Sequence, residues 1–234
     1  VSKLAELAIS AQGVTVSRGD TLVLDGASLT VSSGEVVGLM GPSGSGKTTL
    51  LAVLAGLLVP TSGDVSIGGD SITRVGDRRR SAIRLAKLGL VFQGDELLPD
   101  LTIEENVSLP LRFGRSAIGS TTDSREMVRP VLEQLEIDAI AERLPEEVSG
   151  GQLQRAAIAR AIIHRPLGVL ADEPTTSLDG EASRNAMSLL IGLARASGSA
   201  VIVVTHDDAV AAGCDRVLTL SDGQLRSPLR DHRL

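Results

Sequence analysis

The sequence predicts an α/β fold: a core of parallel strands alternating with helices, an antiparallel β patch ahead of it and an α-helical lobe inserted into it. Three observations predict this. The runs Val36-Val37-Gly38-Leu39-Met40, Leu167-Gly168-Val169-Leu170-Ala171 and Ala200-Val201-Ile202-Val203-Val204 are too uniformly apolar for a sheet with one wet face, and read as strands buried on both sides. Helical patterns lie between them, as parallel crossovers require. From about Gln93 to Arg165 the periodicity turns helical, with Val128, Val131, Leu132 and Leu135 at i, i+3, i+4 and i+7.

In chain order, Val14-Thr15-Val16, Thr21-Leu22-Val23-Leu24 and Ala27-Ser28-Leu29-Thr30-Val31 are β-type runs separated by Arg18-Gly19-Asp20 and Asp25-Gly26, which predicts the antiparallel patch. Ser32-Ser33-Gly34 turns into the first core strand, and a glycine-rich loop then opens a helix through about Ala55. Residues 64–92 alternate turns with Val65-Ser66-Ile67 and a buried run, Gly89-Leu90-Val91-Phe92. After Pro166 the core resumes, with a helix over about Glu181 to Ser197 between its last two strands. The expected organisation is a single domain, with 1–92 and 166–234 as the α/β core and 93–165 as the helical lobe. Leu225 to Leu234, with Arg226, Arg230, His232 and Arg233, reads as a solvated tail.

Composition narrows the function. With 234 residues and 42% hydrophobic content the chain can bury a large core. Its single cysteine, Cys214, excludes an intrachain disulfide and reads as a buried, inert thiol in a reducing compartment. The net charge of −6 disfavours general nucleic-acid binding, and two Phe with no Trp or Tyr leave no stacking platform for single strands. No run reaches the roughly 18 apolar residues of a membrane-spanning helix, so the chain is expected to be soluble and to depend on another polypeptide for any span.

The glycines cluster where chemistry is expected. Gly41-Pro42-Ser43-Gly44-Ser45-Gly46-Lys47-Thr48 satisfies the phosphate-loop pattern between a strand and a helix. Glycine lets backbone N–H groups crowd around phosphates, the helix start adds its dipole, Lys47 reaches the β and γ phosphates, and Thr48 can ligate Mg²⁺. Asp172 and Glu173 end a buried strand, which is costly unless a cation or a proton-transfer task retains them: Asp172 suits the metal and Glu173 the attacking water. His206 follows another core strand, where ligands of such sheets bind, and can donate to the γ phosphate. Gln93 stands at the border of the helical lobe, placed to feel that phosphate and move the lobe. Val148-Ser149-Gly150-Gly151-Gln152-Leu153-Gln154-Arg155 precedes a second helix and builds a second anion-receptive start, and spacing alone does not say how two such sites share one nucleotide.

These motifs, in this order, resemble the ATP-binding subunits of ABC transporters over nearly the whole chain. The resemblance implies a P-loop NTPase (RecA-like) core, with ATP and Mg²⁺ as ligands. It assigns the Walker A loop to Gly41–Thr48 with Thr49, the Q-loop glutamine to Gln93 at the catalytic and metal sites, and the signature to Ser149-Gly150-Gly151-Gln152. Walker B falls at 167–172 with catalytic Glu173, the D-loop at Ser177-Leu178-Asp179 and the switch histidine at His206. It further implies a head-to-tail homodimer, or a heterodimer with a paralogue, in which each ATP lies between one subunit's Walker motifs and the other's signature. An integral membrane permease subunit would hold the pair at the cytoplasmic face of the cell membrane, with a short helix of that subunit docked around Gln93 to Leu98. Val91-Phe92-Gln93, Leu97-Leu98-Pro99-Asp100-Leu101-Thr102 and Ala171-Asp172-Glu173-Pro174-Thr175 resemble the branch serving lipoprotein release, macrolide export, antimicrobial-peptide resistance and cell-division signalling. Val148 replaces the usual Leu, Thr176-Ser177 replaces Gly-Asn, and Arg18 falls where an aromatic residue usually stacks on adenine. A second expectation is an ATPase switch that signals through a membrane partner to an extracytoplasmic enzyme without transport; a nucleic-acid-directed ATPase is disfavoured by the charge.

Overall fold

A computed structural model of the protein describes residues 6–92, 97–115, 124–174 and 180–226. Two sheets organise it. The first is antiparallel, in the order β2-β1-β4-β5: β1 (Leu7–Arg18), β2 (Thr21–Ser32), β4 (Ser62–Ile67) and β5 (Asp70–Ser71). The second runs β10-β9-β3-β8-β7-β6: β3 (Val36–Met40), β6 (Leu88–Val91), β7 (Gly168–Asp172), β8 (Ala200–Val204), β9 (Arg216–Ser221) and β10 (Gln224–Arg226). All its neighbours are parallel except the β9–β10 hairpin.

The apolar core strands are buried on both faces, as their composition requires. Along β7 and β8 alternate residues divide between two clusters: Leu170, Ala200, Ile202 and Val204 join β1, β2 and α1 (Lys47–Leu54) on one face. Val169, Ala171, Val201 and Val203 face the helices on the other, namely α3 (Ile103–Arg115), α4 (Ser124–Gln134), α5 (Gly150–Ile162) and α6 (Gly180–Ser197). The period of two sorts each strand between two hydrophobic layers.

Three sequence expectations are corrected. The predicted three short N-terminal runs are two twelve-residue strands. Register shifts between Ala11 and Val14, Val14 and Val16, and Val16 and Ser17 break the alternation that would have shown their length. Residues 77–87, read as turns, form α2 (Asp77–Lys87), in which Ile83 alone is buried, too little for a hydrophobic period to appear. Leu225 and Arg226, assigned to the tail, pair with Leu220 and Thr219 in β10; residues 227–234 lie outside the described residues.

The segment between β6 and β7 is pinned by polar contacts. Asn106, fully buried, accepts from the Leu98 N–H and donates to the carbonyls of Leu98, Leu101 and Thr102, so residues 98–102 are held against α3. Thr102 and Glu105 cap that helix reciprocally, at 3.0 and 3.2 Å.

Candidate active site

The carboxyl ends of three adjacent strands, β3, β8 and β7, converge. Leu39, Val204 and Asp172 stand level across the sheet, so the segments after them, Gly41–Gly46, Thr205-His206 and Glu173, leave from one edge. Such an edge is where open α/β sheets bind ligands.

The loop after β3 needs glycine at two points. Gly46 has φ +101°, and a Cβ there would press on the Val23 carbonyl and the Leu24 side chain; at Gly41, φ +147°, a Cβ would collide with the Leu220 carbonyl. Gly46 caps α1 without a side-chain hydrogen bond, and the first helical bond is Leu50 N–H to Gly46 O, so the N–H groups of Lys47, Thr48 and Thr49 remain for a ligand. Lys47 Nζ donates to the carbonyls of Gly41 and Pro42, each at 2.9 Å, which folds the lysine back over the loop. The buried Ser45 hydroxyl has no partner among the described residues.

Asp172 is buried, 6% exposed, and hydrogen-bonded by Thr48. Burial, reinforced by the Glu173 charge, pushes its carboxyl above the usual range, against the opposing pull of Thr48 and Lys47. Glu173 has φ +43°, a left-handed conformation unfavourable for a non-glycine residue, and is fixed there by its N–H to Val204 O bond of 3.1 Å. His206 Nδ1 lies 3.8 Å from Glu173 Oε1. Asp207, the next residue, caps α7 (Asp208–Ala212) through the Ala209 N–H at 2.7 Å, which anchors the backbone carrying the histidine.

An open cavity of about 630 Å³ gathers Gly41, Ser43, Gly44, Gly46, Lys47, Thr48 and Thr49 with Glu173, His206 and Arg18. Its wall also includes Val23, which sequence reasoning missed; an outward valine in a β run gives no signal of its own. The residues Ser149, Gly150, Gly151 and Gln152 do not line this cavity. They begin α5, where the Ser149 hydroxyl accepts from the Gln152 N–H at 3.4 Å and the Gln152 side chain accepts from the Ser149 N–H at 2.9 Å. Gln93 and Asp179, with Ser177 and Leu178, lie outside the described residues.

A family model described as ABC transporter matches residues 24–176. The chain belongs to the ABC transporter family. Its relatives in that family include the lipoprotein-releasing system ATP-binding protein LolD 1 of Caulobacter vibrioides, 44% identical over 91% of this chain and 90% of that protein. LolD of Bordetella pertussis is 43% identical over 87% of each. Among solved structures, the dimeric bacterial ABC transporter cassette MJ0796 superposes with a TM-score of 0.84 at 38% identity, covering 94% of this chain and 98% of that one. The same cassette in a post-hydrolysis dimeric state bound to ADP and Pi gives 0.83 at 37%. This chain is accordingly an ATP-binding, ATP-hydrolysing subunit of an ABC transporter, with the P-loop NTPase fold of the family. Among the described residues no helix is long and apolar enough to cross a membrane.

Proposed function

We propose that two copies of this chain, or this chain and a paralogue, pair head to tail, so that each ATP is held by Gly41–Thr49 of one subunit and by Ser149–Gln152 of the other. The observation that supports this best is the one-sidedness of the cavity: the loop, Glu173 and His206 share it, whereas the second anion-receptive helix start, at Ser149, contributes nothing to it. A helix start with glycine N–H groups and a hydroxyl is then available to a neighbouring subunit's γ phosphate. In this reading the segment 93–165 is the lobe that carries the Ser149 motif, and Asp179 lies at the contact between subunits.

In the proposed reaction the open N–H groups of α1 and the Lys47 ammonium hold the phosphates in place. The Glu173 carboxylate takes a proton from the attacking water as its oxygen bonds to the γ phosphorus and the bond to the β–γ bridging oxygen breaks, giving ADP and phosphate. His206 holds the γ phosphate by a hydrogen bond, and Gln93 links that phosphate to the lobe. Mg²⁺ fits the facing Thr48 hydroxyl and Asp172 carboxylate, because both are hard oxygen donors and the burial of Asp172 disfavours its charge without a cation; Gln93 is the further ligand of this proposal. Bound there, Mg²⁺ supplies neutralisation of phosphate charge. Arg18, at the cavity wall, presents a guanidinium plane on which the base can stack.

The pair would work at the cytoplasmic face of the membrane under a permease subunit. The relatives' role in a lipoprotein-releasing system supports a lipoprotein cargo. A groove of about 550 Å³ between α2, β6, α3 and α5, with Leu85, Leu90, Phe92, Pro110 and Phe113 among its lining, supports docking of a permease helix on this face. In this reading the specific ATPase activity of the purified chain rises with protein concentration; an activity independent of concentration in a monomeric sample contradicts it.

A further inference from the structure

The nucleotide cavity draws its walls from two sheets. Arg18 and Val23 come from β1 and β2 of the antiparallel sheet, whereas the phosphate loop follows β3 of the other. A ligand with a base at one end and phosphates at the other is sensitive to the spacing between these walls, so how β2 stands against the loop matters for binding.

The β9–β10 hairpin touches both sides, although none of its residues lines the cavity. Its two-residue loop, Asp222-Gly223, has φ +50° and +75° between the paired Ser221 and Gln224, the primed turn that matches the twist of its strands. On one side the Leu220 carbonyl abuts Gly41 so closely that a Cβ there has no room. On the other, the Asp25 N–H donates to the Gly223 carbonyl and the Gln224 amide donates to the Asp25 carboxylate, each at 2.9 Å. The Val23 carbonyl is gripped between two glycines of left-handed backbone: a Cβ on either Gly46 or Gly223 would lie 3.0 Å from its oxygen.

We propose that Gly223 and Gln224 are positioning residues for the nucleotide: they hold Val23 and Asp25 of β2 at a fixed distance from the phosphate loop, and so set the span between the base end and the phosphate end of the site. The proposal rests on the stacking of the base at Arg18. Gly223 acts by lacking a side chain, and Gln224 by a hydrogen bond that bridges 199 positions of the chain. Both act through β2.

The test is calorimetry of the purified full chain with ADP and with inorganic pyrophosphate, which carry the same two phosphates with and without the nucleoside. Gln224→Ala should lower ADP affinity about threefold, the weight of one exposed hydrogen bond, and leave pyrophosphate affinity as it is. Gln224→Lys, which can donate to Asp25 again, should restore ADP binding. Gln224→Glu, which repels Asp25, should weaken it at least as much as alanine does. Gly223→Ala, with a strained φ and a methyl against Val23, should lower ADP affinity about tenfold and pyrophosphate affinity less; the Gln224 series decides if that variant does not fold. Equal ADP affinity across the Gln224 series, or parallel losses of ADP and pyrophosphate, overturns the inference. Arg18→Ala measured beside them keeps the two claims apart. Unchanged ADP affinity in Arg18→Ala overturns the base placement and the inference with it, whereas a loss there with a flat Gln224 series overturns the positioning alone.

Discussion

Arg18 ends β1 at the rim of the nucleotide cavity, in a chain without Tyr or Trp to take the base instead. If its guanidinium carries the base, Arg18→Ala weakens ATP binding by about 1 to 3 kcal/mol and Arg18→Tyr restores it. Calorimetry with ATP and GTP measures both effects, with little discrimination between the two purines, because stacking needs only a π face. Cys214 makes the opposite case, a residue withdrawn from chemistry. Burial, with Asp215 adjacent, pushes its thiol up to about 11 from 9.0, despite Arg195. The raised value favours the folded state fully below pH 9.0, and that contribution is lost as pH rises through about 11. Iodoacetamide at pH 8 should therefore alkylate the folded chain slowly and the denatured chain fast; equal rates would show an accessible thiolate. At this scale the phosphate loop, Asp172, Glu173 and His206 were legible because residue type and position after an apolar strand carry the signal. Val23 was not, since its place in the wall depends on how β2 crosses the loop.

Elements were legible in proportion to how much apolar surface they bury. β3, β7 and β8, covered on both faces, announce themselves as unbroken apolar runs. α2 buries Ile83 alone and announces nothing, although it supplies a wall of the groove. Close backbone approaches are invisible for another reason: they depend on the absence of an atom. A methyl at Gly89 on β6 would overlap the Ala161 carbonyl of α5, where helix and strand backbones meet without side chains between them. Gly89→Ala should cost about 3 kcal/mol as the two elements separate, read as a melting temperature lower by roughly 6 to 12 °C. Gly192→Ala, on an exposed turn of α6 with nothing within 4 Å of the added methyl, should stabilise by about 1 kcal/mol. Similar shifts in both variants would contradict the packing account.

For the whole molecule the unresolved question at the sequence level was how one chain uses two helix starts built for phosphate. The fold gives each a place: the loop before α1 opens into the cavity, and Ser149 begins a helix that packs on α3, β6 and α6 without lining it. In the proposed pairing each nucleotide needs both starts, so nucleotide should act as the glue between subunits, and blocking hydrolysis should preserve the joined state. The direct measurement is sedimentation equilibrium of Glu173→Gln with and without ATP and Mg²⁺, beside Lys47→Ala and the double variant Glu173→Gln/Ser149→Arg. Composite sites predict that ATP converts Glu173→Gln to a species of twice the 24.3 kDa chain mass, while Lys47→Ala and the Ser149→Arg double variant stay monomeric. A Glu173→Gln chain that binds ATP to saturation and remains a monomer would contradict them.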